Sequence, residues 1–295
     1  MMRSDGVDVS IVIPAKNEEG GLAAFLPKLT KIYPDYEILV VNDGSTDNTL
    51  QVCESNSVRV ISHLYSKGNG AAIKSGARSA RGDVIVFMDG DGQHAPEDVR
   101  RLVDELNDGF DLVVGARKAL KDQANIFRGI ANRIYNALAS FMVGHEIEDL
   151  TSGMRAVKRE KFLQFLSLLP NGFSYPTTST MAFFRSGYGV RYIPIEVAPR
   201  IGSSHINIFK DGLRFLLIIF KIATLYSPLK MFVPLSFIVF SLGVVRYVYT
   251  YSIDGTFTNM SAILMLSSLL VFLIGLVSEQ ITTLIYMLSS KNDDV

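Results

Sequence analysis

Residues 83–94 of the chain join a strongly apolar run to a short acidic loop. The run VIVFM is rich in β-branched residues, and the loop that follows it reads DGDGQH. An apolar run that is stopped by Gly and Asp is typical of a buried strand of a parallel sheet. Open α/β sheets bind ligands outside the carboxyl ends of their strands, so the carboxylates of Asp89 and Asp91 suit a divalent cation with oxygen ligands. The alternative is an ordinary acidic turn, since Asp and Gly are common turn residues.

Apolar runs of this kind alternate with segments of helical periodicity in the first part of the chain. Strands are predicted at residues 9–13, 37–41, 58–61, 84–88 and 111–114. Apolar residues at helical spacing separate them. This alternation predicts an α/β fold in which a mostly parallel sheet is covered by helices on both faces.

The loops that follow these strands are expected to meet at one edge of the sheet. They are residues 14–19, 42–47, 67–70 and 89–93. Together they supply carboxylates for a base or ribose, a lysine and backbone amides for phosphate, and an acidic pair for a metal. This set of groups fits a nucleoside diphosphate. A dinucleotide site or a P-loop is excluded, because neither G-x-G-x-x-G after the first strand nor G-x-x-x-x-G-K-[S/T] is present.

The composition limits the classes of function. The chain has 295 residues, a formal net charge of +0 and 20% charged residues, which argues against general electrostatic binding of nucleic acid. Its single cysteine, Cys53, excludes an intrachain disulfide framework and is interpreted as a core residue. The N-terminus lacks the apolar core expected of a secretory signal. The histidines are scattered without zinc-ligand spacing.

The composition becomes strongly apolar in the last third of the chain. Residues 229–251 and 256–278 are each long enough to span a bilayer as a helix, with buried core helices as the alternative. The short linker between them predicts a hairpin. Basic residues flank the hairpin, whereas the connecting loop has none beyond Arg246 at its edge. Both the N-terminal domain and the C-terminal tail are therefore expected on the cytoplasmic side of the cell inner membrane, with Glu279 near that end of the second span.

Two further stretches carry apolar residues at helical spacing together with basic ones. Core packing is favoured for residues 127–141, and a position in the membrane interface is favoured for residues 206–226. The expected organisation is a catalytic domain at residues 1–205, an amphipathic interface segment at 206–228, and a transmembrane hairpin with a cytoplasmic tail at 229–295.

Seven segments of the chain resemble glycosyltransferase family 2 in their order and spacing. They are VSIVIPAKNEE, VVNDGSTDNT, KGNGAAIKSG, VIVFMDGDGQH, VGAR, DLTSGMR and RIGSSH. The last three are similar to the polyprenyl-phosphate branch, which includes dolichyl-phosphate mannose synthases and undecaprenyl-phosphate glucosyltransferases. The resemblance extends up to the apolar hairpin, and it implies a nucleotide-sugar-binding domain of the GT-A type.

The resemblance also implies roles for individual residues. The residues expected to bind the nucleotide sugar are Pro14, Ala15, Lys16, Glu18, Asp43, Lys67, Asp89, Gly90, Arg200 and His205. Asp89, Asp91 and Gln93 are expected to hold Mg²⁺ or Mn²⁺, and Asp91, Asp149 and Arg117 are the expected catalytic residues. The acceptor phosphate is assigned to Arg117, Arg128, Arg133, Ser152 and Arg155, since an arginine fork fits phosphate. The chain departs from the family pattern at Lys16, where many members have an aromatic residue, and at His205, where lysine is usual.

The expected activity is the inverting, metal-dependent transfer of a hexose to a polyprenyl phosphate at the cytoplasmic membrane face. UDP-glucose is the first choice of donor and GDP-mannose the second. A phosphomonoester with a second pKa of about 6 is already nucleophilic at neutral pH, so Asp149 is interpreted as an orienting or weakly basic group rather than an indispensable base. The alternatives are a processive polysaccharide synthase, whose Gln-x-x-Arg-Trp motif is absent, and a non-catalytic membrane-tethered nucleotide-sugar-binding protein. Self-association through the membrane anchor is a further expectation.

Overall fold

The computed structural model describes residues 8–117, 126–172, 174–198, 220, 224 and 226–290, without the side chains of 126–132 and 288–290. The chain divides into two compact units. The first comprises Met1–Phe141 and His145–His205, and the second comprises Met142–Gly144 and Ile206–Val295. The predicted interface segment at 206–228 lies almost entirely outside the described residues, so the three-part division of the chain stays a prediction.

Strands and helices alternate through most of the first unit. In chain order they are β1 (Val9–Ala15), α1 (Glu19–Ile32), β2 (Glu37–Asn42), α2 (Thr49–Ser55), β3 (Arg59–Ser62), α3 (Asn69–Ser79), β4 (Val84–Phe87), α4 (Asp98–Asn107), β5 (Leu112–Arg117), α5 (Ile126–Val143), β6 (Arg155–Lys158), α6 (Arg159–Gln164), α7 (Tyr175–Arg185) and β7 (Val190–Ile195). The five strands that the sequence predicts are all present.

The strands form one seven-stranded sheet in the order β3-β2-β1-β4-β6-β5-β7. The pairs β1–β2, β1–β4, β2–β3 and β5–β7 are parallel, which confirms the predicted mostly parallel sheet. β6 is the exception, because it runs antiparallel to both β4 and β5. Arg155 at the start of β6 pairs with Phe87 at the end of β4, so the segment that precedes β6 lies at the edge where β4 ends.

The core of this unit lies on the faces of the sheet, beneath the helices. All seven residues of β1 are buried, as expected for a strand that is covered on both faces. Helix α1 buries Leu22, Phe25, Leu26 and Leu29, which recur at helical spacing on one side. Each such side chain contributes about 1.5–3 kcal/mol when it is fully buried. This packing fixes the strand ends and therefore the loops that follow them.

The second unit contains two long helices, α8 (Pro228–Asp254) and α9 (Asn259–Ser290). By length and composition each is able to cross a membrane, and only 11% and 17% of their most apolar stretches are buried. This exposure argues against the alternative of soluble core helices. Small residues recur every seventh position among their buried residues, at Ser236, Gly243 and Thr250 on α8 and at Ser261, Ser268, Gly275 and Thr282 on α9. Small residues at that spacing let two helix backbones approach closely.

Glu279 connects the two helices of the hairpin. Its Oε2 accepts a hydrogen bond from the backbone N–H of Leu229 at 3.3 Å, in the first turn of α8. The first N–H groups of a helix have no partner within the helix, and a negative charge is stabilised there. Glu279 therefore lies beside the amino-terminal end of α8.

Candidate functional site

The loops after β1, β2 and β4 lie against one another at the carboxyl edge of the sheet, as the sequence predicts. The backbone N–H of Asn17 donates to Ser45 Oγ at 3.0 Å, and the N–H of Thr46 donates to Asn17 Oδ1 at 2.8 Å. The β4 loop meets α1 so closely that a Cβ on Gly21 would lie 2.3 Å from the carbonyl oxygen of Gly90. Only glycine fits at position 21, because the contact is with backbone that has no room to move.

The predicted nucleoside residues occupy this edge in different environments. Pro14 and Ala15 are buried at the end of β1, Lys16 is exposed, and Glu18 is half-buried. The backbone N–H of Glu18 donates to Thr49 Oγ1 at 3.0 Å, so the first loop is anchored on α2. Their contact with a nucleotide stays a prediction.

Asp43 is the centre of a buried hydrogen-bond network. Its Oδ1 lies 2.7 Å from His63 Nδ1 and accepts the N–H of Lys67 at 2.8 Å. Its Oδ2 accepts Ser66 Oγ and the N–H of Gly68, both at 2.8 Å. Burial alone would raise the pKa of Asp43, but these hydrogen bonds outweigh it and lower the pKa to about 2. The carboxylate is therefore ionised and already accepts four bonds.

The phosphate-binding amides that the sequence predicts after β3 have partners inside the protein. The N–H groups of Lys67 and Gly68 donate to Asp43, and that of Gly70 donates to the carbonyl of Gly172 at 3.3 Å. The N–H of Ala71 donates to the carbonyl of Asn171 at 2.9 Å. The expectation that this loop offers several amides to phosphate is therefore wrong for these four groups, because each is already satisfied. The exposed side chain of Lys67 is what the loop offers to a ligand.

The β4 loop carries the predicted metal ligands Asp89, Asp91 and Gln93. Asp89 retains some exposed surface, but its carboxylate lies against Gly153, where a Cβ would come 2.2 Å from Oδ2. Burial therefore raises the pKa of Asp89; the Asp91 charge adds to this effect, whereas His94 opposes it. The Oδ1 of Asp91 accepts the N–H of Gln93 at 3.2 Å, which closes the loop.

These donors fit a hard divalent cation. Two carboxylates and one amide oxygen are the oxygen ligands that Mg²⁺ or Mn²⁺ accepts, with substrate phosphate and water completing the set. Within the described part of the chain, no cluster of three or more His, Cys, Asp or Glu side chains forms an all-protein metal cage.

Gln93 and His94 tie this loop to the segment after β7. The Nε2 of Gln93 donates to the carbonyl of Ala198 at 2.9 Å, and the N–H of Ala198 donates to the carbonyl of Gln93 at 2.9 Å. The buried His94 accepts the N–H of Asp89 on Nδ1 at 3.3 Å. The amide nitrogen of Gln93 is thus engaged in a structural bond, which leaves Oε1 as the atom for its predicted metal contact.

Arg117 and Asp149 form a bidentate ion pair at the ends of β5 and of the segment before β6. Arg117 Nε lies 2.7 Å from Oδ2 and Nη2 lies 2.9 Å from Oδ1 of Asp149. Thr151 completes the arrangement by accepting a bond from Arg117 Nη2 at 2.6 Å. Burial would raise the pKa of Asp149, but Arg117 outweighs it and lowers that pKa. The sequence assigns both residues to catalysis, and the structure brings them together.

Ser152 and Arg155 do not fit their predicted contact with an acceptor phosphate. Both residues are 0% exposed. Nη1 of Arg155 donates to the carbonyl of Pro176 at 2.9 Å and to Ser179 Oγ at 2.8 Å, and its guanidinium lies 5.5 Å from the ring centroid of Tyr175. Arg155 therefore holds α7 against the sheet, and a buried charge with internal partners is unavailable to a lipid.

Of the remaining residues predicted to bind phosphate or nucleotide, the structure describes the side chain of Arg133 alone. Arg133 is exposed on α5. Arg200 and His205 lie outside the described residues, and the side chain of Arg128 is not described. On the same helix the predicted core stretch is partly wrong: Tyr135 and Ala139 are buried, whereas Ile134 and Phe141 are 58% and 59% exposed.

Sequence reasoning missed His63 and Gly153. The spacing of the histidines does not fit a zinc site and predicts no role for His63, yet His63 contacts Asp43 directly. Gly153 has no side chain that would mark it as a functional residue, and only its closeness to the Asp89 carboxylate shows that this position affects the site. The available signal for His63 was a histidine directly after a strand, with Lys-Gly four residues further on.

A cavity of about 410 Å³ lies at the opposite edge of the sheet, away from all of these residues. Tyr33, Glu37, Arg59 and Arg81 are among the residues that line it. Arg59 is already held by Glu37 at 2.5 Å, so the Glu37 carboxylate is engaged in an ion pair. The chemistry of the carboxyl edge, rather than the size of this cavity, identifies the candidate site.

Comparison with known proteins identifies two matching families. Residues 10–166 match glycosyl transferase family 2, and residues 227–284 match the GtrB C-terminal hairpin. Among solved structures, glucosyl-3-phosphoglycerate synthase from Mycobacterium tuberculosis has a TM-score of 0.59 and 22% identity, with 74% of this chain and 79% of that chain covered. This likeness confirms the fold alone.

Three relatives illustrate the sequence similarity. An undecaprenyl-phosphate 4-deoxy-4-formamido-L-arabinose transferase from Pseudomonas fluorescens is 34% identical over 59% of this chain and 56% of its own length. A polyprenol monophosphomannose synthase from Mycolicibacterium smegmatis is 30% identical over 64% of this chain and 77% of its own length. Glycosyltransferase AglJ from Haloferax volcanii is 27% identical over 94% of both chains.

The chain spans a little more than half the length of the first of these relatives. The family match itself covers more than half of this chain, and the hairpin match coincides with α8 and α9. The chain therefore belongs to glycosyl transferase family 2 and carries a C-terminal hairpin of the GtrB type.

Proposed function

We propose that the protein transfers a hexose from a nucleoside diphosphate sugar to a polyprenyl phosphate at the cytoplasmic face of the membrane, with inversion at the anomeric carbon. The family membership and the names of two relatives, which act on undecaprenyl phosphate and polyprenol, support the reaction class. The observation that carries the proposal is the placement of Asp89 and Asp91 at the sheet edge that also holds the Arg117–Asp149 pair.

The donor half of the site is assigned to the β1, β2 and β4 loops together with Lys67. Asp89 and Asp91, with Oε1 of Gln93, would hold Mg²⁺ or Mn²⁺; the related fold of glucosyl-3-phosphoglycerate synthase has been solved with Mn²⁺ and UDP-glucose. When bound, such an ion offsets the charge that develops on the departing diphosphate. Asp89 is desolvated and suits a cation, because an ion replaces the solvation that burial removes.

The acceptor half is assigned to Arg117, with the exposed Arg133 on α5 as a second candidate. Asp149 orients the Arg117 guanidinium through two hydrogen bonds, which leaves Nη1 as the nitrogen to meet a phosphate. A lipid phosphate needs little deprotonation at neutral pH, and the pKa of Asp149 is lowered. Asp149 is therefore proposed as an orienting group rather than a base.

The membrane hairpin is proposed to keep this site near a substrate that cannot leave the bilayer. Helices α8 and α9 would span the inner membrane, with the catalytic unit on the cytoplasmic side. The exposed Ile134 and Phe141 on α5 are proposed to face the membrane interface, because exposed apolar side chains on a helix suit that position. The catalytic, interface and hairpin boundaries at residues 205 and 228 belong to the same proposal.

The test is direct. Purified protein is incubated with polyprenyl phosphate, Mg²⁺ or Mn²⁺, and separately with UDP-glucose, GDP-mannose and other nucleotide sugars, and the lipid product is weighed by mass spectrometry. We expect one donor to yield a polyprenyl-phosphate hexose, and Asp91→Ala to abolish its formation. Folded wild-type protein that transfers no sugar from any donor contradicts the proposal. Undiminished transfer by Asp91→Ala contradicts the assigned role of the acidic loop.

A processive polysaccharide synthase is the less supported alternative. The chain has no tryptophan, and the described residues contain two candidate membrane helices. Formation of a polymer instead of a single lipid-linked sugar in the same assay would favour that alternative.

A further inference from the structure

A relay of three polar side chains lies behind the turn formed by residues 66–68. Ser75 Oγ on α3 is 2.9 Å from His63 Nε2, and His63 Nδ1 is 2.7 Å from Asp43 Oδ1. The side chains of His63 and Asp43 are only 5% and 4% exposed. Because both ring nitrogens have partners, the imidazole has a fixed orientation and cannot turn away from Asp43.

Asp43, held in place by His63, forms hydrogen bonds with the turn. Its two oxygens accept the N–H of Lys67, the N–H of Gly68 and the hydroxyl of Ser66, each at 2.8 Å. Hydrogen bonds to an ionised carboxylate are stronger than neutral ones, and two consecutive amides that meet one carboxylate fix the backbone between them. A displaced Asp43 would therefore displace the whole turn.

The surrounding backbone leaves no room for the turn to shift. A Cβ on Gly44 would come 2.6 Å from the Ser66 nitrogen, and a Cβ on Gly68 would come 2.5 Å from the carbonyl oxygen of Asn171. Gly68 has a φ of 99°, which a residue with a side chain rarely adopts. The turn is thus held by Asp43 on one side and by close backbone contacts on two others.

Two residues just before this turn are exposed to solvent, and so is Lys67 within it. Leu64 and Tyr65 are 98% and 67% exposed, and the Nζ of Lys67 lies 5.8 Å from the ring centroid of Tyr65. An exposed aromatic ring beside a cation suits a base and a phosphate, and both groups stand at the sheet edge that carries the candidate site. A backbone that is already held in place beneath them lowers the entropy that a ligand must offset when it binds.

We infer that His63 is a positioning residue of the donor site: by holding Asp43, it sets the 66–68 turn so that Tyr65 and Lys67 meet the nucleoside diphosphate. This inference rests on the proposed donor class. His63 touches no substrate itself. Ser75 acts one step further away, because it fixes the ring that orients Asp43.

Two measurements on the full-length protein in detergent micelles test this role without any lipid acceptor. Binding of UDP and of GDP is titrated in the presence of Mn²⁺, and hydrogen exchange is followed for the amides of Lys67 and Gly68. We expect His63→Ala to weaken nucleotide binding and to speed exchange of both amides, each by about tenfold, as for loss of one charge-assisted hydrogen bond. His63→Asn should restore most of the nucleotide affinity and most of the protection of the two amides, because the asparagine amide can still donate to Asp43. Ser75→Ala should give a smaller change in the same direction.

The matched control is His145→Ala. His145 is exposed and stacks on Phe184 with ring centroids 5.3 Å apart, outside this network. We expect wild-type nucleotide affinity and wild-type exchange of the two amides in that variant. An equal loss of affinity in His145→Ala and His63→Ala would overturn the assignment to the network.

Two further variants keep the inference testable if His63→Ala does not fold. Tyr65→Ala and Lys67→Ala change exposed side chains and should each weaken nucleotide binding. Wild-type affinity in both shows that the turn does not meet the donor, and it overturns the inference. Faster amide exchange in His63→Ala with unchanged affinity overturns it as well, because the histidine is then structural only. Failure of the proposed transfer reaction is a separate result: wild-type protein would bind nucleotide but add sugar to no lipid.

Discussion

Asp43 and Asp89 follow strands on either side of β1, and their surroundings are opposite. Asp43 accepts four hydrogen bonds from its own chain, and they lower its pKa to about 2. Asp89 is crowded by Gly153, and burial raises its pKa; none of the residues that the structure describes donates a hydrogen bond to its carboxylate. The two carboxylates share an edge of one sheet but differ in how much of their charge the protein itself satisfies.

This difference indicates that the Asp43 carboxylate supports the fold, whereas the Asp89 carboxylate suits a ligand. A buried charge with a full set of donors stabilises the native state, whereas a desolvated charge without them lowers stability until a cation binds. Sequence motifs do not distinguish the two cases, since both residues sit in Asp-Gly turns after apolar strands. The hydrogen-bond partners do.

The largest expected effect comes from neutralising Asp89. Asp89→Asn should lower transfer at least about 10³-fold, because the donor diphosphate loses the cation that offsets its charge. The same variant should unfold at an equal or higher temperature without metal, since a raised carboxyl pKa means that ionisation opposes folding at neutral pH. Transfer rates and thermal unfolding by circular dichroism check both outcomes. A less stable variant that retains full transfer would break the contrast with Asp43.

The next largest effect is expected from a substitution that places a side chain against the Asp89 carboxylate. A Cβ on Gly153 would lie 2.2 Å from Asp89 Oδ2, so Gly153→Ala must move that carboxylate. Transfer should fall by roughly 10–100-fold, since small displacements of catalytic groups are costly. Gly172→Ala is the matched control, because a Cβ there meets nothing within 4 Å. Comparable loss of activity in both variants would argue against a specific effect on Asp89.

Asp149 is a third carboxylate at this edge, and Arg117 donates hydrogen bonds to both of its oxygens. Arg117→Lys should lower transfer by roughly tenfold or more, because lysine cannot form the bidentate bond. Asp149→Asn should cost no more than Arg117→Lys and should leave the pH dependence of kcat unchanged, as expected of an orienting group. Loss of the low-pH limb from the pH profile of Asp149→Asn would show instead that Asp149 acts as a base, because a base must be deprotonated to act.

A further effect is expected on stability rather than on transfer, from Asp43→Asn. The pKa of Asp43 falls from its ordinary 3.8 to about 2 in the folded protein, so its ionised form contributes roughly 2 kcal/mol at neutral pH. That contribution is complete above the ordinary pKa and is lost as the pH falls through about 2. Wild type and Asp43→Asn should therefore differ in unfolding free energy at pH 7 and approach each other in strong acid. A difference that is constant with pH would show that the ionised carboxylate is not its source.

Local sequence patterns predicted five of the seven strands and the chemical groups of the candidate site. Apolar runs that stop at Gly and Asp predict the strands, and their alternation with helical spacing predicts a mostly parallel sheet, because these patterns are local properties of the chain. The two long apolar segments likewise predict α8 and α9 from length and composition. Asp89, Asp91, Arg117 and Asp149 were all named from motifs of neighbouring residues.

The contacts of each of those residues depend on how distant segments of the chain pack together. Strand β6 was not predicted, and its antiparallel insertion brings Gly153 against Asp89 from more than sixty positions away in the chain. The burial of Arg155 and the partners of Asp43 depend on the same kind of long-range contact. The periodicity of apolar residues predicts which side of a helix or strand is buried, but it does not predict which donor forms a hydrogen bond with which carboxylate. The sequence named the carboxylates at the edge of the sheet, and the packing between distant segments distinguished the satisfied one from the one that suits a cation.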